Sequence, residues 1–571
     1  MERKWTVIET VKKNKRCFPQ LEKATEQILL NRGFENEKEL KCFFTPDYEK
    51  DLHDPFLLND MKKAVERILN KKTKLDKICI FGDYDADGVT GSVLLTSFLK
   101  KELKLNVFSY IPDREEEGYG MSERAIDYLK KQNTTLIITV DCGITNVEEV
   151  FYAKKSGIDV IILDHHDVVE KIPKALAVID PKNPQEKRYP FKELAGVGVA
   201  FKFLQAISRK SSEIKEDNLK WYLDLVAVGT VADCVPLLNE NRTLVKFGLM
   251  VLAKTKRAGF RQLFQNGRIQ INESELPKTE QIAFQIAPRI NAAGRMKHAK
   301  MAYNLLMEEN ETKANEIAKE LEKENRNRQK VTADILKKMK KKLNAMKKIP
   351  KVIIKTSAEW KIGIIGLIAG RLAEEFSRPV ILLQEKGDIF RGSGRSIPGF
   401  DLVGAFKKQA GLLNKYGGHN QAAGLTLSKE NFFEFKESFQ VEAEKKIIRK
   451  LIKTILIDIK VTLKEINAKF CEEISMLEPF GKENELPTLL LKKANIINKK
   501  RLGKDDKHLK LWIEGYNGTE ILEGIGFGMG ERTTEIKIND KIDLIFNLEK
   551  NYWNGTRKLQ LKLIDFKKSK N

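Results

Sequence analysis

Three apolar runs in the first part of the chain each end directly at an acidic or histidine-bearing segment. The runs at 78–81, 136–140 and 160–163 have the length and the β-branched content of buried β-strands. The segments that follow them are 82–88 (GDYDADG), 141–143 (DCG) and 164–166 (DHH). Strand and helix signals alternate from about residue 77 to 240, which predicts a doubly wound α/β domain built on a parallel sheet.

The acidic segments fall where a fold of this kind usually binds ligands. In an open parallel sheet, ligands bind outside the carboxyl ends of the strands, so residues distant in sequence converge there. Asp83, Asp85 and Asp87 alternate, so in an extended segment their side chains would point the same way. Each segment alone is more simply explained as a turn or a solvated loop. Together with Asp233 of the GTVAD segment, they would place uncompensated acids in one crevice, which is unfavourable without a cation.

Carboxylates combined with imidazoles predict both the kind of cation and its chemistry. Hard divalent cations take several carboxylate oxygens, and one or two imidazoles shift the preference towards manganese-like metals. Two such metals about 3.5–4 Å apart would share a bridging carboxylate, activate a water and neutralise a phosphodiester during in-line attack. The residues therefore predict a binuclear metal site that hydrolyses a phosphate ester.

These segments and several downstream motifs resemble those of the DHH phosphoesterase superfamily. The resemblance is strongest to the branch of bacterial single-strand-specific 5′ to 3′ exonucleases, because the motifs are many, long and in the order of that branch. It covers the chain from about residue 50 to the C-terminus. The motifs that carry it are GDYDADG, GTVADCVPL, PRINAAGRM, RGSGRSIPGF and GGHNQAAG.

The resemblance implies a multidomain α/β chain, and local patterns agree with its order of domains. A charged stretch without glycine or proline, 311–348, predicts a long linker helix. Short strand patterns near the C-terminus, with a hairpin signal at Asn554-Gly555, predict a small β-barrel. The predicted boundaries are 1–50 for a charged lead-in, 51–300 for the catalytic DHH domain, 301–349 for the linker helix, 350–450 for a second α/β domain named DHHA1, and 451–571 for an OB-fold.

The resemblance also implies which residues hold the metals. The implied metal ligands are Asp83, Asp85, Asp87, Asp141, His165 and Asp233. Asp141 would bridge both metals and act in catalysis, and His166 would face the scissile phosphate and stabilise the developing oxyanion. Asp164 would orient the histidine pair by accepting hydrogen bonds. Phe81 stands where many superfamily members carry a ligating histidine, which leaves Asp83 as the candidate replacement.

A second set of residues would bind the substrate. Its members are Arg114, Arg289, Asn291, Arg295, Ser393, Arg395 and His419. By resemblance, Arg114, Ser393 and Arg395 would capture a 5′ terminus, because a guanidinium pocket favours the extra charge and free oxygens of a terminal phosphate. Arg289, Asn291 and Arg295 would contact phosphate oxygens, with a structural salt bridge as the alternative. His419 lies in a glycine-rich turn and would donate to a phosphate, unless it is simply packed there.

Charge and cysteine usage agree with a nucleic-acid enzyme. The chain has 103 Lys and Arg against 80 Asp and Glu, giving a net charge of +23, which suits a polyanionic partner but is also expected in a lysine-rich proteome. Its six cysteines form no Cys-x-x-Cys pair, so neither a zinc ribbon nor a disulfide framework is predicted. Neither a signal peptide nor a long apolar run is found, so we expect a cytoplasmic protein without membrane contact.

The resemblance implies a single-stranded-DNA-specific 5′ to 3′ exonuclease that uses two divalent metal ions, Mn²⁺ or Mg²⁺, and releases 5′-mononucleotides. It further implies a monomer that acts in recombination and repair with a RecQ-type helicase and single-strand-binding protein. One alternative is a DHH phosphodiesterase that acts on short oligoribonucleotides or cyclic dinucleotides, although such relatives usually lack a terminal β domain. Another is a non-catalytic DNA-binding scaffold, which the intact acids and histidines argue against.

Overall fold

The chain forms two compact units, and one of them is discontinuous in sequence. The computed structural model describes residues 3–11, 13, 15–70, 75–168, 171–273, 275–447, 454–518, 520–553 and 556–569. One unit is Leu52–Leu451, and the other combines Met1–Asp51 with Ile452–Asn571. Within the described residues, no helix combines the length and apolar character needed to cross a bilayer.

The alternation of strands and helices predicted for about 77–240 holds only to residue 179, because the regular elements from 196 to 344 are helices. Up to residue 307 they are β1 (Lys4–Val7), α1 (Lys23–Asn31), α2 (Glu37–Phe44), α3 (Met61–Leu69), β2 (Ile78–Gly82), α4 (Ala86–Lys101), β3 (Val107–Tyr110), α5 (Glu123–Lys131), β4 (Leu136–Val140), α6 (Val147–Lys155), β5 (Asp159–Leu163), β6 (Ala177–Ile179), α7 (Gly196–Lys210), α8 (Glu216–Lys220), α9 (Leu223–Ala232), α10 (Asn239–Ala253), α11 (Ala258–Gly267), α12 (Thr279–Gln281), α13 (Ala287–Met296) and α14 (Lys300–Met307). From there they are α15 (Glu311–Asn344), β7 (Ile353–Ser357), α16 (Ile362–Phe376), β8 (Val380–Lys386), β9 (Ile389–Arg395), α17 (Leu402–Lys407), β10 (Lys415–Gly418), β11 (Ala422–Ser428), α18 (Phe432–Lys446), β12 (Thr454–Ile457), β13 (Ile459–Val461), α19 (Ala468–Met476), β14 (Leu489–Leu502), β15 (His508–Glu514), β16 (Ile521–Gly526), β17 (Lys541–Trp553) and β18 (Thr556–Lys568).

The first sheet is parallel and doubly wound, as predicted. Its strand order is β3-β2-β4-β5-β6, and every neighbouring pair is parallel. Strands β2 and β4 are buried along their whole length, which explains why both read as uninterrupted apolar runs. The chain leaves β2 first for β3 and then returns past it to β4, so the direction of winding reverses between β2 and β4. Ligands bind at such a switch point, outside the carboxyl ends of the strands.

Helix α15 joins the first α/β domain to the second, as predicted, but it is less exposed than a purely solvated linker. Leu321, Leu336 and Leu343 are buried on one side of it, while most of its charged side chains are exposed and Glu324 is buried. The second domain is a five-stranded sheet of order β10-β11-β9-β8-β7, in which β7 and β8 are the parallel pair. Helix α16 packs on the sheet and contributes Ile364, Ile368 and Leu372 to its core. This confirms a second α/β domain.

The C-terminal strands close into a barrel, which confirms the predicted fold of this region. Strands β14, β15, β16, β18 and β17 pair in that order, and β17 pairs back onto β14. Closure removes the free edges that an open sheet would leave. Strands β17 and β18 pair antiparallel up to Trp553↔Thr556. The predicted turn between them, Asn554-Gly555, lies outside the described residues.

The N-terminal segment folds with the barrel region. Strand β1 pairs in parallel with β12, from Lys4↔Thr454 to Val7↔Ile457. The indole of Trp5 donates to the Asp565 carboxylate at 2.9 Å. The buried carboxylate of Glu473 accepts the backbone N–H of Glu22 at 3.0 Å, next to the first turn of α1. These contacts join residues that are distant in sequence, so local periodicity of the sequence did not predict them.

Candidate active site

The predicted strand ends converge at the carboxyl edge of the first sheet. Hydrogen bonds extend one residue beyond each strand: Asp83 N–H donates to the Val140 carbonyl at 3.3 Å, and Asp141 N–H donates to the Leu163 carbonyl at 3.0 Å. Asp164 N–H likewise donates to the carbonyl of Ile179 at 3.1 Å. The first residues after β2, β4 and β5 are therefore held side by side at the switch point of the sheet.

The expectation that Asp83, Asp85 and Asp87 project together from an extended segment is wrong. Helix α4 begins at Ala86, and Asp85 is its N-cap, where its carboxylate accepts the N–H groups of Asp87 at 2.9 Å and Gly88 at 3.2 Å. The spacing of two residues no longer returns a side chain to the same side once the chain is helical. Asp87 therefore lies in the first turn of α4, in a different group from Asp83 and Asp85.

The six predicted metal ligands and His166 nevertheless lie in one place. We call the five acids of this set, Asp83, Asp85, Asp87, Asp141 and Asp233, the carboxylate cluster. Three overlapping groups each bring their ligand atoms within 4.8 Å of one another: Asp83 with Asp85 and Asp141, Asp87 with His165 and Asp233, and Asp141 with His165 and His166. His165 Nε2 lies 3.0 Å from Asp141 Oδ1, 3.6 Å from Asp233 Oδ2 and 3.9 Å from Asp87 Oδ2.

Burial and mutual repulsion make the carboxylate cluster unfavourable in the absence of cations. Burial, and then the neighbouring Asp85, raise the pKa of Asp83 to about 8. Burial together with nearby carboxylates also raises the pKa of Asp87 and of Asp141 well above the usual range. Burial, followed by the charge of His166, lowers the pKa of His165 to about 3, so its imidazole is neutral, as a ligand must be. Oδ1 of Asp83 is buried without a hydrogen-bond partner. The donor set therefore fits hard divalent cations.

Backbone groups that the sequence analysis did not identify hold this cluster in place. At the start of α7, the N–H groups of Gly196 and Val197 donate to the two carboxylate oxygens of Asp87 at 2.7 and 2.8 Å. Asp141 has a φ of +62°, a left-handed conformation that is strained for a residue other than glycine. A Cβ at Gly196 would lie 2.7 Å from the Cβ of Asp141, so only glycine fits there. The Gly-Val-Gly sequence at 196–198 was the available signal.

His166 lies beside the cluster and is held by two partners. Its Nδ1 is 2.8 Å from Asp164 Oδ1 and 3.1 Å from the hydroxyl of Tyr119. Burial disfavours the charged imidazolium, but the hydrogen bond and charge of Asp164 outweigh it and raise the pKa of His166 to about 9. Asp164 contacts His165 through the backbone N–H rather than through the ring. Sequence reasoning missed Tyr119, whose only signal was its place in the Gly-Tyr-Gly turn.

Next to the acids, three arginines and a serine from different parts of the unit form what we call the arginine pocket: Arg114, Arg295, Ser393 and Arg395. Arg114 lies over the ring of Tyr84, with its guanidinium carbon 4.0 Å from the ring centre. Arg395 donates to Ser393 Oγ at 2.8 Å, and Arg295 donates to the Gly363 carbonyl at 2.9 Å.

The arginine pocket brings together three cationic side chains that are each partly buried. Burial, and then the charge of Arg114, lower the pKa of Arg295 to about 9 and also lower the pKa of Arg395. Nε of Arg114 is buried without a hydrogen-bond partner. Within the described part of the chain, none of the three guanidinium groups forms an ion pair with a carboxylate. Like charges crowded out of water in this way are stabilised by phosphate oxygens.

The predicted substrate contact of Arg289 is not supported by its position. Its Nε donates to Glu322 at 2.7 Å, and its two terminal nitrogens donate to the carbonyls of Gln285 at 2.7 Å and Gly267 at 3.1 Å. Each of the three nitrogens therefore already donates to a protein group, and the ion pair with Glu322 is largely buried. The structural alternative is favoured for this residue.

Asn291 and His419, the remaining predicted substrate residues, differ in exposure. Oδ1 of Asn291 is buried without a hydrogen-bond partner, on the same helix as Arg295. His419 lies in the turn between β10 and β11 and is 65% exposed, with its Nδ1 4.0 Å from a carboxylate oxygen of Asp167. That contact places the glycine-rich turn of the second domain against the loop that follows His166.

Comparison with known proteins confirms the resemblance found in the motifs. Residues 77–230 match the family model of the DHH family, N-terminal domain; residues 350–445 match the DHHA1 domain; and residues 457–565 match the RecJ OB domain. The single-stranded-DNA-specific exonuclease RecJ of Bacillus subtilis is 36% identical over 94% of this chain and 67% of the relative. The RecJ exonuclease of Haemophilus influenzae is 31% identical over 95% of each chain.

A solved structure agrees over the whole length. The crystal structure of RecJ in complex with Mn²⁺ from Thermus thermophilus superposes with a TM-score of 0.83 at 27% identity, covering 100% of this chain and 80% of that one. A second crystal structure of the same enzyme contains Mg²⁺. Sequence, domain order and fold therefore lead to one conclusion: the chain belongs to the RecJ family of exonucleases in the DHH superfamily.

Proposed function

We propose that this protein is a single-stranded-DNA-specific 5′ to 3′ exonuclease that hydrolyses phosphodiesters with two divalent metal ions and releases 5′-mononucleotides. The observation that supports this most directly is the adjacency of two partly buried clusters of opposite charge. Asp85 of the carboxylate cluster and Arg114 of the arginine pocket each act electrostatically on the other cluster. Cations in one cluster and a terminal phosphate in the other would satisfy both.

The carboxylate cluster offers two sets of ligands, and Asp141 of the first set lies 3.0 Å from His165 of the second. Asp83, Asp85 and Asp141 would hold one Mn²⁺ or Mg²⁺, and Asp87, His165 and Asp233 would hold the other, with Asp141 between them. When bound, such a pair supplies Lewis-acid stabilisation of the phosphodiester and lowers the pKa of water. The N–H groups of Gly196 and Val197 fix both oxygens of Asp87, so this side chain is oriented before any ion arrives.

His166 is positioned to act on the phosphodiester oxygens. Because its pKa is raised to about 9, it is protonated near neutral pH and carries a positive charge towards a substrate anion. Asp164 fixes the ring by accepting from Nδ1, which leaves Nε2 free of that contact and able to donate. The hydroxyl of Tyr119 also lies within hydrogen-bond distance of Nδ1 and donates to the Asp141 carbonyl at 3.1 Å.

The arginine pocket accounts for the choice of a strand end. Arg114, Arg395 and Ser393 would bind the 5′-terminal phosphate, which carries more charge and more free oxygens than an internal linkage. Arg295 lies close enough to both clusters to be affected by Asp85 as well as by Arg114 and Arg395. A terminal phosphate bound there would place the first internal phosphodiester towards the carboxylate cluster, and cleavage would release a mononucleotide.

The biological setting remains a prediction from family resemblance. We infer a role in DNA recombination and repair in the cytoplasm, as a monomer that works with a RecQ-type helicase and single-strand-binding protein. The chain has 103 basic and 80 acidic residues, and the resulting net charge of +23 suits a DNA substrate.

One experiment tests the proposed function. Purified protein in Mn²⁺ is mixed with 5′-phosphorylated single-stranded DNA labelled at the 5′ or the 3′ end, beside an Asp141→Ala control. We expect early release of a labelled mononucleotide from the 5′ end, while the 3′ label stays in long fragments until late. Early loss of the 3′ label, or cleavage confined to dinucleotides or short RNA, would overturn the proposal. Tight DNA binding without cleavage by either protein would indicate a scaffold.

A further inference from the structure

Lys202 and Glu240 form an ion pair without exposure to solvent. Both side chains are 0% exposed, and Nζ of Lys202 lies 2.9 Å from Oε1 of Glu240. Burial lowers the pKa of Lys202, and the charge of Glu240 opposes that shift, so the lysine depends on its partner to stay charged. A buried pair adds little net stability, because both charges lose their hydration, and in some proteins its role is to fix how the surrounding segments meet.

The pair is a junction of several segments. Lys202 lies on α7, and Glu240 lies in the first turn of α10. The ammonium group also donates to the carbonyl of His53, whose N–H donates to Glu240 Oε1 at 2.8 Å. The other carboxylate oxygen of Glu240 accepts from the hydroxyl of the buried Tyr189. The start of α10 is therefore tied to α7, to the segment around residue 53 and to the loop that leads into α7.

Asn241, the next residue on α10, is also buried and fastens two loops. Its side-chain amide donates to the carbonyl of Glu193 at 2.5 Å and to the carbonyl of Pro236 at 3.0 Å. Glu193 precedes the start of α7 at Gly196, and Pro236 lies between Asp233 and α10. One helical turn thus holds the loop that enters α7 and the loop that follows Asp233.

Both loops lead to ligands of the same predicted metal. The start of α7 fixes Asp87 through two backbone N–H groups, and Asp233 begins the loop that ends at α10. Asp87 and Asp233 belong to one ligand group with His165. The ligand group of Asp83 instead comes from the segments that follow β2 and β4. The buried pair is therefore connected to one of the two ligand groups.

We propose that the buried pair of Lys202 and Glu240 positions Asp87 and Asp233 and so sets the affinity of one of the two metal positions. This inference rests on the proposed function, and it gives the pair no contact with metal or substrate. Lys202 is six residues from Gly196, about 9 Å along the helix, so it acts through the backbone of α7. Loss of groups that orient metal ligands weakens metal binding by about 10- to 100-fold.

The test uses the double variant Lys202→Met/Glu240→Gln. It removes both charges and keeps similar side-chain volumes, so neither charge is left buried alone. Mn²⁺ binding is measured by calorimetry with and without this double change in two backgrounds. Asp83→Ala leaves the ligand group of Asp87 complete, and Asp233→Ala leaves the ligand group of Asp83 complete. The Tm in chelator reports the effect on the fold separately.

Arg67→Met is the matched control. Arg67 is 19% exposed and pairs with Asp76 at 2.7 Å and with Asp159 at 3.0 Å. Asp76 precedes β2 and Asp159 begins β5, so this pair lies at the amino edge of the same sheet, opposite to the carboxylate cluster. Its loss should lower the Tm without changing Mn²⁺ binding in either background.

In the Asp83→Ala background, we expect the double variant to bind Mn²⁺ about 10-fold or more weakly. In the Asp233→Ala background, the Kd should stay within about twofold. An unchanged Kd in the first background would overturn the inference, and so would equal weakening in both, since a purely structural pair would affect both positions alike.

Glu240→Asp provides a second test that holds even if the double variant does not fold. It keeps the charge and shortens the side chain by one methylene, so it should cause a smaller loss that is again confined to the Asp83→Ala background. Equal effects in both backgrounds would count against the inference here too. A wild type that releases no 5′-mononucleotide, together with a selective loss of Mn²⁺ binding in the variants, would refute the proposed function and leave the positioning role standing.

Discussion

The carboxylate cluster and the arginine pocket solve the same physical problem with opposite signs. Each collects like charges in a place that is at least partly buried, where water screens their mutual repulsion less than in solution. Burial and neighbouring charges raise the pKa of Asp141 and lower the pKa of Arg295 to about 9. In both cases the surroundings disfavour the charged form of the side chain. A ligand of the other sign would stabilise each cluster: cations for the acids and, in the proposed function, phosphate for the arginines.

The two clusters differ in how their members are held. The acids come from the first domain alone and are fixed by its backbone, through the N-cap at Asp85 and the strained φ of Asp141. The arginines come from separate segments: Arg114 from the first domain and Arg395 from strand β9 of the second. The acids therefore depend on one edge of a single sheet, whereas the arginine pocket depends on the two domains being joined.

Loss of the shared acid should have the largest effect. We expect Asp141→Asn to lower kcat by at least about 10³-fold, because it removes the ligand common to two groups of the cluster. A raised pKa means that ionised Asp141 destabilises the fold above its unfolded pKa, so the variant should have a higher Tm than wild type in chelator at neutral pH. Exonuclease assays and calorimetry with and without Mn²⁺ measure both effects. Retained activity, or a lower Tm in chelator, would contradict the proposed role.

A substitution in the arginine pocket should instead affect the choice of strand end. We expect Arg395→Gln to lower kcat/KM on 5′-phosphorylated DNA by about 10²-fold and on 5′-hydroxyl DNA only a few-fold, since in the proposed function the guanidinium binds the terminal phosphate. Arg391→Gln is a control on the same strand, because Arg391 donates to the carbonyl of Glu115 at 2.9 Å and lies outside the pocket. Equal losses on both substrates would show that Arg395 acts on something other than the terminal phosphate.

Tyr119 should have a smaller effect, confined to the side of the acids. We expect Tyr119→Phe to lower kcat about fivefold, roughly the value of one neutral hydrogen bond, because His166 and the Asp141 carbonyl both lose a partner. KM should change little and discrimination between 5′-phosphate and 5′-hydroxyl ends should not change. Single-turnover rates on the two substrates distinguish these outcomes. A loss of end discrimination would mean that Tyr119 serves the arginine pocket.

Arg289 should have the smallest effect on activity of the arginines considered. We expect Arg289→Ala to destabilise the fold by about 1–3 kcal/mol, since the largely buried pair with Glu322 is lost and Glu322 keeps only its ion pair with Arg326. The KM of the folded enzyme should stay within about twofold of wild type, because all three nitrogens of Arg289 bind protein groups. Urea unfolding and steady-state kinetics measure the two quantities. A large rise in KM without loss of stability would restore the substrate contact predicted from the sequence.

The sequence predicted which acids come together because local signals determine where the strands end. The apolar run at 136–140 coincides with β4, and acids after three such runs had to meet at one edge of a parallel sheet. The N-cap role of Asp85 was also readable, since Asp followed by a helical apolar pattern is a helix-start signal. The prediction of an extended backbone at 83–87 overlooked this helix-start signal.

Other features depend on packing and could not be predicted. Arg289 and Arg295 lie in one motif, but they are six residues apart on a helix and therefore project from different sides of it. Arg289 contacts Glu322 because α15 packs against its side of the helix, and the motif alone does not predict that packing. The pairing of β1 with β12 joins positions far apart in sequence, where no local pattern applies. The roles assigned to individual ligands and substrate contacts stay predictions until the substitutions above are measured.

The pairing of β1 with β12 also has a consequence for synthesis on the ribosome. Lys4 leaves the ribosome early, but its partner Thr454 is added 450 residues later (454 − 4). At roughly 5–20 residues per second, the first strand waits about 20–90 s for its partner. The unit Leu52–Leu451 has its own core and can fold during that interval. The molecule is therefore expected to mature from the middle outwards, and its first-made strand is among the last to reach its final place.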